Sequence, residues 1–151
     1  MRRRTAVVLI LGLFSAVAAR ADEATKKDQQ QFQGTWTTVS AEMNGDKLDD
    51  DIVKALKFVV KGDKFDVEGP PVVLQQYAKG TFKMEATTKP KTIDVKVGEG
   101  EMKGDVIEGI YEFDDDTLKI CAKLSGKERP ADFTTKAGSN MVSLVLKREK
   151  K

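Results

Sequence analysis

Histidine is absent from this 151-residue chain, and cysteine occurs once, at Cys121. Without histidine the chain lacks the usual general base near neutral pH, the Ser-His and Cys-His nucleophile pairs, and the commonest metal ligand. A lone cysteine rules out an internal disulfide, so the fold must rest on its apolar core. Zinc chemistry is disfavoured for the same reason, because one thiol and scattered carboxylates form no ligand constellation. Long apolar runs are scarce too. The one at residues 6–17 is shorter than the roughly 20 residues a helix needs to cross a bilayer.

That run follows Arg2, Arg3 and Arg4 and precedes Ala19-Arg20-Ala21, which supplies small residues at both cleavage-pocket positions. The layout is that of a secretory signal peptide over residues 1–21, with an uncut anchor as the alternative. No Phe-Leu-Lys-like continuation follows the arginines, so the general export route is expected rather than the twin-arginine one. No cysteine near the cleavage site offers a lipid attachment point. The mature chain is therefore expected to be periplasmic or extracellular, with no membrane span after cleavage.

Cleavage also changes the charge balance. The full chain has 26 basic and 24 acidic residues, and residues 1–21 hold four arginines and no acid. The mature chain thus has 22 basic and 24 acidic residues, a net charge of −2. A mixed-sign surface of this kind argues against nucleic acid as a partner. The Lys-rich end at residues 147–151 reads as a solvated tail. The length fits one domain, and a monomer is expected.

Residues 22–31 (DEATKKDQQQ) read as a polar N-terminal linker or a short helix. From Phe32 onward the apolar period is mostly two, interrupted by turn signals, and this marks an antiparallel all-β domain over residues 32–149. A first strand is expected over 34–42, with Asn44-Gly45 as its turn. Residues 48–56 form the one helical candidate, with Asp49 to Asp51 available as caps. Phe58 and Val60 face Phe65 and Val67 across a Gly62-Asp63 hairpin. Further strands are expected over 74–85 and 93–97, then in DVIEGIYEF, TLKICAKL and MVSLVLKR. The pattern predicts about eight strands in sequential hairpins and one short helix between the first two strands. Such a meander closes into an up-and-down barrel or half-closes into a sandwich. A barrel of this size is either hollow enough for one small ligand or filled by side chains.

Gly34-Thr35-Trp36 resembles the Gly-x-Trp signature of lipocalins. In that family the Trp packs across the closed end of the barrel against a basic side chain near the end of the last strand. Arg148 stands in phase with Val142, Leu144 and Leu146 and is the expected partner, with Lys147 as the alternative. More broadly, residues 32–149 are similar to an uncharacterised lipocalin-like domain family abundant in planctomycete bacteria. The segments that carry this are QGTWTTVSAEMNG, KGTFKM, KPKTIDV, GIYEFDDDTLKIC, ERPADF and LVLKRE. One departure is Asp115, where the family commonly has glycine. The resemblance implies a lipocalin-like barrel and carries no activity, cofactor or catalytic residue with it.

The chemical signals have structural explanations. Asp49 to Asp51 and Glu112 with Asp114 to Asp116 lack the spaced pattern of a calcium loop, so no metal site is expected. Gly98, Gly100 and Gly104 connect two strands and open no helix, so they read as turns rather than a phosphate loop. Cys121 falls on the strand face opposite the core, flanked by Lys119 and Lys123. It is either a reactive thiol or, by preference, a small residue covered by the ERPADF segment. Arg129 is expected to pair with an acid, and Phe133 to pack on the barrel. The expectation is a non-enzymatic exported domain that binds a small apolar or amphipathic ligand, without cofactor. The cavity candidates are Phe58, Phe82, Val95, Tyr111, Ile120 and Leu144. A filled-barrel structural or interaction module of the cell envelope is the alternative. A hydrolase using carboxylates is the remote one.

Overall fold

The computed structural model describes residues 23–124 and 128–150. The expected leader at 1–21 lies outside the described residues. A helix α1 over 23–31 leads into strand β1 (Gly34–Met43). There follow β2 (Asp46–Lys47), helix α2 (Asp50–Ala55), β3 (Lys57–Lys61), β4 (Lys64–Glu68) and the one-turn helix α3 (Pro71–Leu74). The remaining strands are β5 (Lys79–Glu85), β6 (Lys91–Glu99), β7 (Val106–Asp114), β8 (Thr117–Lys123) and β9 (Met141–Arg148).

Strands β1 and β3 to β9 form one antiparallel meander in the order β1-β3-β4-β5-β6-β7-β8-β9. Strand β9 then pairs along nearly all of β1, from Trp36 opposite Arg148 to Met43 opposite Val142. That pairing closes an eight-stranded barrel, which removes the exposed edges an open sheet would carry. The two-residue β2 is an extra strand on the far end of β1. Inward positions follow the alternation of the sequence: Ile93, Val95 and Val97 on β6, and Leu118, Ile120 and Ala122 on β8.

Three local departures from the sequence pattern have physical causes. The strand expected from residue 74 begins at Lys79, because Pro70-Pro71 opens α3 instead. Proline fixes φ near the helical value, and its missing N–H costs nothing in a first turn. Residues 22–31, open between linker and helix, hold the helix α1. It ends where Phe32 N–H donates to the Asp28 carbonyl, and Gly34 then takes φ +112°. Asp49, the residue before α2, makes no side-chain cap hydrogen bond; Asp50 and Asp51 occupy the first turn, where the helix dipole favours acids.

Helix α1 lies across the end of the barrel where β1 begins. Thr25, Asp28 and Phe32 are three and four residues apart and so share one helical face. Asp28 and Phe32 on that face are buried, and the Thr25 hydroxyl accepts the Ala86 N–H of the β5–β6 loop at 3.2 Å. Gln33 clamps the β3–β4 turn in both directions. Its amide donates to the Gly62 carbonyl at 2.8 Å, and its Oε1 accepts the Gly62 N–H at 2.6 Å.

Candidate functional site

The barrel is hollow. A cavity of about 400 Å³ runs inside it, from Phe32 at the α1 end to Val72 of α3, which is 56% exposed and marks the mouth. Its wall draws on α2, α3 and every barrel strand; among the described residues, the polar side chains in it are Gln76 and Tyr77. Phe58, Val95, Ile120 and Leu144 point inward yet are only half-buried. Their free surface faces the hollow rather than bulk water, as expected where a barrel is not filled by its own side chains.

Five of the six cavity candidates, Phe58, Phe82, Val95, Ile120 and Leu144, line this space. Tyr111 does not. It points inward as its strand parity requires, but it lies deeper, fully enclosed and packed edge-on against Phe113 at 5.6 Å between ring centroids. Its hydroxyl donates to Asp28 Oδ2 at 2.7 Å, and Lys91 Nζ reaches the same oxygen at 2.8 Å. Burial, and next the adjoining Asp28 carboxylate, hold the Tyr111 phenol well above its ordinary ionisation range. Tyr111 therefore belongs to a polar pin that fastens α1 to β6 and β7.

Trp36 closes the same end. It has no exposed surface, its indole N–H donates to the Phe32 carbonyl at 2.8 Å, and Phe32 and Phe113 flank it at 6.1 and 6.2 Å. Arg148, not Lys147, covers its ring, with the guanidinium carbon 4.5 Å from the centroid. At Gly34 a Cβ would stand 3.5 Å from Arg148 Nη1, so the close pass of chain and guanidinium needs the absence of a side chain less than the positive φ does.

The outer wall carries a second feature. The segment from Glu128 to Asn140 crosses the outside as a strap. Its first part meets β6, β7 and β8 through Arg129 and Glu128. Its second part meets β1 and the β1–β2 turn, where the Thr135 hydroxyl donates to Glu42 and accepts the Gly45 N–H. Arg129 anchors the first part, donating to the Gly109 carbonyl at 2.8 Å and to Asp94 Oδ1 at 2.7 Å. Pro130 is buried, and Phe133 borders a shallow, more polar hollow beside the β5–β6 loop and Glu112. Beneath the strap side of the wall, Ile110 and Cys121 are fully enclosed although both point away from the barrel interior. Burial pushes the Cys121 thiol up to about 11, with the Asp132 and Glu42 carboxylates adding to the effect. At neutral pH it is a protonated, covered group rather than a nucleophile.

The acid runs are dispersed into structural positions. Asp115 occupies the β7–β8 turn at φ +51°, a left-handed conformation that aspartate tolerates and glycine adopts freely. Among the described residues no cluster of three or more His, Cys, Asp or Glu side chains could hold a metal ion. Sequence reasoning missed Asp28 and Lys91. The signal that could have found Asp28 is its spacing from Thr25 and Phe32 on one helical face. Comparison with family models, with curated proteins and with solved structures gave no match.

Proposed function

We propose that this protein is an exported, non-catalytic carrier of a small apolar or amphipathic molecule held inside the barrel. The single observation behind this reading is the cavity of about 400 Å³, walled almost entirely by carbon and open at the α3 end. Its size falls within the ~300–1,000 Å³ typical of small-molecule sites. Burying a ligand's apolar surface there would contribute about 25 cal/mol per Å² before the costs of association. The hollow favours carriage over the filled-barrel envelope module. The signal-peptide layout of residues 1–21 supports export.

The test is native mass spectrometry on the protein purified from its own host. A retained small molecule, released by denaturation, is the expected result. Ile120→Trp, which places an indole in the hollow, should abolish retention while the circular dichroism of the barrel persists. Absence of any adduct, together with no uptake of an apolar fluorescent probe by the wild type, would overturn carriage.

A further inference from the structure

We infer that the cavity selects uncharged amphiphiles, such as long-chain alcohols or esters, and discriminates against carboxylates of the same chain. The inference rests on the carrier reading above and deepens it. None of the described residues lining the cavity is charged. A carboxylate drawn into such a wall would lose its hydration and gain no cation, which disfavours it far more than a neutral polar group.

Among the described residues no Lys or Arg lines the cavity. At the closed end, Arg148 is bound to the Gln31 and Gln33 carbonyls, and Lys91 is paired with Asp28. On β5, Lys79 meets Glu99 on the exposed surface at 3.2 Å. Lys96 alternates with the inward Val95 and Val97 and is exposed. The polar end of a ligand would instead meet Gln76 and Tyr77, two and three residues beyond α3. Their segment is held to the β6–β7 loop: Glu101 N–H donates to the Gln75 carbonyl at 2.8 Å, and Met102 N–H to that of Gln76 at 3.2 Å. An amide and a phenol offer neutral donors and acceptors. Burial raises the Tyr77 ionisation further, so the phenol stays uncharged at neutral pH.

The experiment titrates ligand-stripped protein with decanol, methyl decanoate and decanoate at neutral pH, where the acid is ionised. Decanol and the ester should bind, with decanoate weaker by about tenfold or more. Gln76→Arg, at a partly exposed position, should narrow that ratio by about tenfold by supplying the missing cation. Decanoate binding the wild type as tightly as decanol would overturn the selectivity while leaving carriage intact. An unchanged ratio in a folded Gln76→Arg variant would also overturn it, since the ratio would then not come from the uncharged wall. If none of the three ligands binds, the carrier reading itself fails.

Discussion

Arg148 and Trp36 face each other in the β1–β9 register, and the guanidinium lies 4.5 Å from the centre of the indole. The same guanidinium donates to the Gln33 carbonyl at 2.7 Å and to that of Gln31. One side chain thus covers the plug of the barrel and satisfies carbonyls at the C-terminal end of α1, where the helix dipole favours a cation. Trp36→Ala should cost about 3–5 kcal/mol, the range for emptying a buried aromatic site. Arg148→Lys keeps the charge but loses the planar fork that stacks and bonds two carbonyls at once. It should cost about 1–2 kcal/mol. Urea denaturation checks both, and a Trp36→Ala barrel of wild-type stability would contradict the plug.

The Tyr111–Asp28 bond makes a prediction about alkaline pH. An unfolded tyrosine ionises near pH ~10, whereas folding holds the Tyr111 phenol protonated well above that. Above pH ~10 the folded chain therefore keeps a proton that the unfolded chain has lost, and stability falls as pH rises. Tyr111→Phe should cost about 1–2 kcal/mol at neutral pH by leaving Asp28 with Lys91 alone. It should also decline less steeply than the wild type above pH ~10. Parallel alkaline limbs in urea titrations of the two proteins would show that the phenol does not carry the effect.

Strand order and the hairpin turns could be read from the sequence because each has a local or periodic signature. The Trp36–Arg148 pair is instead implied by the Gly-x-Trp resemblance, with strand phase favouring Arg148 over Lys147. Alternation tells which way a side chain points, and it placed Phe58, Val95, Ile120 and Leu144 inside. It does not tell depth. Tyr111 shares that parity yet sits at the level of the plug, since only the packed barrel sets how far the hollow extends. Asp28 was hidden for a different reason. A carboxylate in a run of charged and amide residues reads as solvated, and its partners Lys91 and Tyr111 lie 63 and 83 residues away. Ile110 and Cys121, on the outer face, are enclosed on the side where the strap crosses a wall that alternation alone leaves facing water.

Cys121 tests that cover. With no exposed surface and a thiol pushed up to about 11, it should react slowly with iodoacetamide at neutral pH and fully in urea. Arg129→Ala removes the bonds to Asp94 and the Gly109 carbonyl that fasten the first part of the strap, leaving the Thr135 bonds to Glu42 and Gly45 in place. Labelling of this folded variant should speed up by about tenfold, because local opening becomes easier by about 1.4 kcal/mol. An unchanged rate would mean that the strands alone protect the thiol.

Gly80 tests how closely the barrel wall is drawn together. It follows a bulge in β5, and a Cβ there would lie 2.1 Å from the Lys96 carbonyl oxygen and 3.2 Å from the Gly98 nitrogen. Both atoms are backbone of β6, so no side-chain rotation relieves the clash. The φ of Gly80 is not positive, which leaves crowding as the only penalty. Gly80→Ala should cost about 3 kcal/mol or more, at the upper end for overpacking. Gly62 provides the opposite case: φ is +62°, and nothing lies within 4 Å of a Cβ. Its alanine variant should cost only about 1–2 kcal/mol, the left-handed penalty alone. Urea unfolding of the two variants side by side separates the causes. If Gly62→Ala proved the more damaging, the close approach of β5 and β6 would not be what demands glycine at position 80.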